Sequence, residues 1–346
     1  MLYGCNGYTG ELIAAAAAAA GERPILAGRR ADAVAAVAGR FGCEHRVFAL
    51  DDPAAIAREL AGVDALVLAA GPFSRTSAVT VEACLRARVH YLDITGEVAV
   101  FEAAQRRDAE ARAAGVVVLP GVGFDVVPSD CLARSLAEAL PGAVSLELAF
   151  HSRGGASRGT LKTMVEGAAS TLVRREGVLR PIRTGSLKMR VPFRDRPRTA
   201  AAITWGDLST AYWSTGIPSI TTYMAVSPGA ARALALVGWL RPLVGSPWVV
   251  RALQGLVERG AAGPDAEVRA RSRALLWGRV RDAAGRERTG SAETPEGYDF
   301  TAGAAVECVR RVLRGGCAAG YQSPATAFGA GFLAELPGSA LVVDPG

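Results

Sequence analysis

The chain opens on a stretch that leaves few choices of fold. It begins Tyr3-Gly4-Cys5-Asn6-Gly7-Tyr8-Thr9-Gly10 after two apolar residues. A run rich in alanine follows to Ala20, and Pro24-Ile25-Leu26-Ala27 then ends in Gly28-Arg29-Arg30. Read in order, this is strand, glycine turn, helix, strand and basic tip, the opening unit of a parallel sheet that holds a dinucleotide. The spacing of the three glycines is weak by itself. With 40 glycines in 346 residues, it arises by chance about 0.5 times. Its context carries the reading. Gly4 ends a short apolar strand, and Gly4 and Gly7 let backbone approach a pyrophosphate. Gly10 lets the helix lie close on the sheet. Asn6, Tyr8 and Thr9 share this turn and the helix start, where unpaired N–H groups and the helix dipole favour an anion.

The second half of the unit selects the cofactor. NAD readers place Asp or Glu at the tip of the second strand. Here the tip carries Arg29 and Arg30, with no acid before Asp32. Two guanidinium groups suit the 2′-phosphate of NADP, and one can stack on the adenine. A hydrogen bond to a charged group contributes about 1.5–3 kcal/mol, so either arginine favours NADP over NAD by about tenfold or more.

Strand–helix alternation continues downstream. The pattern predicts a helix over 31–41 and a strand over 46–50, ending in Asp51-Asp52-Pro53. An all-apolar strand over 65–69 runs into Ala70-Gly71-Pro72-Phe73, with a helix over 77–88 after it. A strand over 90–94 ends in Thr95-Gly96-Glu97. A charged helix extends to about 114, and a strand over 116–119 ends in Gly121-Val122-Gly123-Phe124-Asp125. Six strands in this span predict a doubly wound parallel sheet. Ligands of such sheets bind beyond the carboxyl ends of the strands. Asp51, Ala70, Gly71, Pro72 and Phe73 therefore join the cofactor-binding candidates. Phe73 would cover an edge of the nicotinamide, unless the loop is only stiffened by its proline.

The second half has a different grain. A strand is predicted over 143–151. A small-residue loop over 153–160, either an anion cradle or a hinge, leads into an apolar-striped helix over 161–173. Residues 174–198 are strongly basic, which suits a solvated face, or a docking patch for an acidic carrier protein or an anionic membrane. Residues 233–250 are the most apolar part. Arg241, Pro242 and Pro247 interrupt them, so a helical pair lining a pocket or lying on a membrane fits better than a span of about 20 residues. Alternation over 268–280 and 287–294 predicts a hairpin of an antiparallel sheet with one exposed face. A helix over 301–313 and a closing helix near Ser323-Pro324 complete the chain.

The expected fold class is α/β, with a Rossmann-type doubly wound parallel sheet and a second, α+β substrate domain built on an antiparallel sheet. The boundaries are 1–130 for the first domain, with 300–346 packing back on it, and 131–299 for the second. Composition fits a globular chain, with half of the residues apolar and a net charge of +6. No motif of interleaved aromatic and basic residues points to nucleic acid. The six cysteines are scattered without a C-x-x-C pair, as expected of reduced thiols in the cytoplasm. Nothing has metal-ligand spacing. No signal peptide is expected, because Met1 starts almost inside a strand.

Four stretches also carry a family resemblance: residues 3–10; Ala69-Ala70-Gly71-Pro72-Phe73; Tyr91-Leu92-Asp93-Ile94-Thr95-Gly96-Glu97; and residues 120–130, from Pro120-Gly121-Val122-Gly123-Phe124-Asp125 to Val126-Val127-Pro128-Ser129-Asp130. The ending Ser323-Pro324-Ala325-Thr326-Ala327-Phe328-Gly329 is similar too. On these the chain resembles the saccharopine dehydrogenase-like oxidoreductases, in the branch containing trans-acting enoyl reductases. The resemblance implies an NADP-binding Rossmann domain with a substrate domain inserted after the sixth strand. It also implies an enoyl substrate handled by polyketide or lipid synthesis machinery.

The leading expectation is hydride transfer from NADPH to an activated C=C bond on a hydrophobic or carrier-bound substrate, in the cytoplasm or at a membrane surface, with a homo-oligomer compatible. The step needs a proton donor, and Tyr91, Asp93, Asp125 and His151 are the candidates near the ligand edge. Two alternatives remain. One is a C=N dehydrogenase acting on imino or amino acids, closer to saccharopine reductase. The other is a nucleotide- or lipid-associated binding protein without turnover.

Overall fold

The computed structural model describes residues 1–152, 171–239 and 263–345. Strands and helices are numbered along the chain among these residues. The chain forms two compact units. One comprises Met1–Val127 with Gly297–Phe332, the other Pro128–Glu296 with Leu333–Gly346.

In the first unit the strands are short: β1 (Leu2–Tyr3), β2 (Leu26–Gly28), β3 (His45–Val47), β4 (Ala65–Leu68), β5 (His90–Asp93) and β6 (Val117–Leu119). Between them lie α1 (Tyr8–Ala19), α2 (Ala31–Phe41), α3 (Pro53–Glu59), α4 (Phe73–Ala87), α5 (Val98–Gln105) and α6 (Asp108–Ala114). Every residue of β1, β2, β4 and β6 is buried, as expected where helices cover both faces of a parallel sheet. Tyr3, Leu66, Leu68, Tyr91 and Val118 lie in its core. Asp52 caps α3, accepting from Ala54 N and Ala55 N.

The second unit contains α7 (Val127–Ala139), whose first residue still belongs to the first unit, then β7 (Ala143–Ser152), β8 (Thr171–Arg175), β9 (Val178–Ile182), β10 (Lys188–Pro192) and β11 (Pro197–Ile203). After these come α8 (Asp207–Thr215), β12 (Ser219–Ala225), α9 (Pro228–Trp239), α10 (Ala266–Arg271), β13 (Arg273–Asp282) and β14 (Glu287–Pro295). The chain returns to the first unit with α11 (Gly297–Leu313), β15 (Gly320–Tyr321) and α12 (Pro324–Phe328). It then passes through α13 (Phe332–Glu335) to β16 (Ala340–Val343) in the second unit. Ser323 caps α12 as its sequence suggests.

The second sheet runs β10-β11-β12-β7-β13-β14-β16, with β8 pairing β12 and β9. Its pairs are antiparallel except for β12 and β7, which run parallel. On one face α7 lies tight against β13, because Gly278 has no side chain: a Cβ there would sit 2.6 Å from Leu136 Cδ1. The other face buries Ala149, Tyr223 and Trp277 with Val191 and Phe193.

Several expectations are corrected. Residues 333–346 do not return to the first unit with the rest of 300–346, because β16 pairs with β14. Residues 171–173 are strand rather than helix, since β8 finds partners in β9 and β12. Residues 268–271 are helical in α10, and the strand starts only at Arg273. The basic stretch is not one solvated face. Arg174 is buried, with its guanidinium donating to Leu208 O and Gly177 O and lying 4.3 Å from the Tyr212 ring centre. The loop over 153–160, the helix over 161–170 and residues 240–250 of the apolar stretch lie outside the described residues. Among the described residues no helix is long and apolar enough to cross a membrane.

Candidate functional site

The first sheet has the order β15-β6-β5-β4-β1-β2-β3, and all its pairs are parallel. The direction of winding reverses between β1 and β4. A crevice forms at such a reversal, outside the carboxyl ends of the strands.

The glycine turn fills the β1 side of that crevice. Gly4 has φ +89°, and a Cβ on it would meet Ala69 C at 2.8 Å and Ala70 N at 2.9 Å. The turn therefore passes directly against the end of β4. A Cβ on Gly10 would lie 2.1 Å from Gly4 O, so only glycine lets α1 start here. Gly7 donates its N–H to Gly4 O at 3.0 Å. As the N-cap residue of α1 it supplies no side-chain cap. A 12-residue helix thus presents its positive end to the crevice without a carboxylate or hydroxyl of its own at the cap. Thr9 is half-buried in this first turn. Asn6 leans across the end of β2, its Oδ1 3.1 Å from where a Cβ of Gly28 would be. The Tyr8 ring packs edge-on against Tyr298 of α11 at 5.0 Å.

Arg29 and Arg30 are exposed at the tip of β2, and neither pairs with a carboxylate among the described residues. Beneath them Tyr3 donates its hydroxyl to Phe48 O at 2.7 Å. Burial pushes the Tyr3 hydroxyl up to about 12, opposed by the charge of Arg29 and reinforced by that of Asp51.

The loop after β4 is pinned from two sides. Thr76 Oγ1 donates to Ala70 O at 2.8 Å. The Glu97 carboxylate accepts from Phe73 N and Ser74 N, both at 2.9 Å, and so caps α4 from the neighbouring loop. This cap explains why α4 starts at Phe73 and not at 77. The half-buried Phe73 ring packs against the core of the sheet and lies 3.5 Å from a Cβ position on Gly71. Pro72 is the N-cap residue of α4. Glu97 escaped the sequence reading as a site residue. The signal available was a carboxylate just beyond a strand end, beside a helix start that lacks its own cap.

The four proton-donor candidates separate clearly. Tyr91 is fully buried and donates to Asp93 Oδ2 at 2.6 Å. Its hydroxyl is pushed up by burial and then by the adjacent Asp93. Asp93 is fully buried as well, and its Oδ1 accepts from Thr95 N and Gly121 N, each at 2.9 Å. Burial lifts its carboxyl to about 6 against the pull of those hydrogen bonds. The pair ties the end of β5 to the end of β6. Asp125 is half-buried and has no hydrogen-bond partner among the described residues. Burial alone pushes its carboxyl up to about 7. His151 belongs to the second unit, on β7 opposite Leu275, with its ring 6.1 Å from that of Phe193. No group of His, Cys, Asp and Glu among the described residues could hold a metal ion.

The reversal point, the glycine turn and the basic tip together define a dinucleotide-binding α/β domain. Residues 1–119 match the family described as "Saccharopine dehydrogenase NADP binding domain". Over 138 residues the chain is 28% identical to a curated protein of Mycobacterium leprae (strain TN) named "Trans-acting enoyl reductase". The match covers 38% of this chain and 33% of that protein, about a third of the relative's length. Apo saccharopine dehydrogenase (L-Glu forming) from Saccharomyces cerevisiae superposes with a TM-score of 0.67 at 12% identity, covering 99% of each chain. Homospermidine synthase from Legionella pneumophila, solved in complex with NAD, gives a TM-score of 0.64 at 10% identity, covering 99% of this chain and 90% of its own. At these identities the likeness is one of fold.

Proposed function

We propose that the chain is an NADPH-dependent oxidoreductase that reduces an enoyl C=C bond on a hydrophobic or carrier-bound lipid or polyketide substrate. The cofactor half of this reading is carried by one observation: two exposed arginines without carboxylate partners end β2, where an NAD reader has an acid. The enoyl half is supported by the name of the M. leprae relative.

The residues fit the group. Glycine at 4 and 10 lets the turn fold tightly against the end of β4 and the start of α1, and the start of α1 would accept the pyrophosphate. Arg29 and Arg30 would hold the 2′-phosphate, Asn6 and Asp51 border the adenosine side, and the pinned 70–73 loop borders the nicotinamide side. When bound, the nicotinamide supplies a hydride; the protein's part is to bind, orient and supply the matching proton. Lys188, Arg190, Arg194 and Arg196 remain exposed on β10 and its following turn, which suits an acidic carrier.

Fluorescence titration with NADPH and NADH tests the cofactor half. Arg29→Ala and Arg30→Ala should each weaken NADPH by about tenfold and leave NADH nearly unchanged. Equal affinities in the unaltered protein would remove the NADP assignment. A substrate panel tests the rest. Turnover of imino acids, with none of enoyl thioesters, would replace the C=C reading by a C=N one.

A further inference from the structure

We infer that Asp125 is the acid that protonates the substrate, at the double-bond atom that does not receive the hydride. The inference rests on the reductase reading above and deepens it.

Three carboxyls stand at the ends of β5 and β6, and two of them are spent on structure. Asp93 uses both oxygens to accept from Tyr91, Thr95 and Gly121. Glu97 uses both to accept from Phe73 and Ser74. Asp125 has neither duty, although its backbone is held. Phe124 N donates to Thr301 Oγ1 at 3.0 Å, and Val126 N and Val127 N both donate to Gly123 O. A fixed backbone carrying an unengaged carboxyl is how an acid is presented to a ligand.

The surroundings keep that carboxyl unengaged. Gly96, just beyond β5, faces it, and a Cβ there would lie 2.7 Å from Asp125 Oδ2. The titratable groups on the elements beside it are Asp93 and Glu97 on the β5 loop and Asp299 in the first turn of α11. None of them contributes to its shift; burial alone brings it to about 7. At neutral pH it can therefore both give a proton and regain one. The strand before it, β6, lies on the β4–β5 side of the reversal, where the second half of a dinucleotide rests in such sheets.

The balance is simple. One atom of the double bond gains the hydride with its electron pair. The Asp125 O–H bond breaks, its proton bonds to the other atom, and its electron pair stays on the carboxylate. Water then restores the acid.

The test is a carboxyl titration by isotope-edited infrared spectroscopy on the whole chain, alone and with NADP⁺ or NADPH. The unaltered protein should show a carboxyl titrating near pH 7 that Asp125→Asn lacks, separate from that of Asp93. With NADP⁺, whose ring is cationic, the midpoint should fall by about one pH unit; with NADPH it should not. Asp125→Asn should keep NADPH affinity and lose about 100-fold or more of enoyl reduction. Gly96→Ala, which only crowds the carboxyl, should move the midpoint and lower turnover at unchanged NADPH affinity. Equal midpoints with NADP⁺ and NADPH, or unaltered turnover in Asp125→Asn, would overturn the inference and leave the reductase reading standing. Failure of the unaltered protein to bind either dinucleotide would overturn both.

Discussion

Glycines of the opening turn and the glycine at the centre of β13 do different work. In the first unit, the two tightest glycines of the opening turn, Gly4 and Gly10, have backbone as their close neighbours. Gly4 lies against Ala69 and Ala70, and Gly10 lies against Gly4. In the second unit, Gly278 sits within β13 and meets only side chains, those of Leu136, Leu148 and Leu132. Backbone cannot step aside, whereas a leucine can change rotamer. Gly4 and Gly10 therefore hold the turn in its shape against the end of β4, and Gly278 preserves the approach of α7. The same substitution should read out as lost binding in one unit and as lost stability in the other.

The largest effect is expected for Gly10→Ala. The added methyl collides with Gly4 O at 2.1 Å, so the turn must open and NADPH affinity should fall by about 100-fold or more, the loss of several charge-assisted hydrogen bonds. Fluorescence titration measures it; wild-type affinity would show that the turn is not the cradle. Gly278→Ala sharpens the contrast. Overpacking against Leu136 should cost about 1–3 kcal/mol in denaturant unfolding while NADPH affinity holds. A matching loss of affinity would erase the distinction between the sheets.

Glu97→Ala is smaller, about 1–2 kcal/mol for a lost helix cap. Hydrogen exchange should quicken at Phe73 and Ser74 if the carboxylate is what holds them. A further expectation is a pH trend. A carboxyl raised by burial keeps its proton in the folded chain where the unfolded chain has lost it. Its contribution is therefore most favourable below pH about 4 and fades as pH rises to about 7, the value reached by Asp125. Asp125→Asn lacks this loss, so its melting temperature should gain on that of the unaltered protein between pH 4 and 7 and then run level. The pairs of the second unit carry the opposite sign. Arg198 holds Asp195 below its usual range, and Arg286 does the same for Asp282. Their contribution is present at neutral pH and disappears as acid protonates them.

Much of the first unit could be read before any coordinates existed, because its signals are local. Helix 31–41 matches α2 residue for residue, since Val34, Val37 and Ala38 recur at helical spacing and Gly42 adopts the left-handed stop. Asp52-Pro53 starts α3 for a reason visible in two residues. Signals made of pairs were harder. Two-residue β15 has no pattern of its own and exists because Gly320 and Tyr321 pair with Val117 and Val118. Arg174 counted as one more surface charge until Leu208, Gly177 and Tyr212 came round it from other elements.

The order of apolar, glycine and arginine residues in the first thirty positions points to a dinucleotide and to the carboxyl edge of the sheet. Those preferences act between neighbours in the chain: backbone torsion, helix dipole and the reach of one side chain. Which carboxyl stays available at that edge was not written locally. Asp93, Glu97 and Asp125 look alike in sequence. They differ because distant N–H groups and a tyrosine hydroxyl reach the first two, while a glycine with no side chain faces the third.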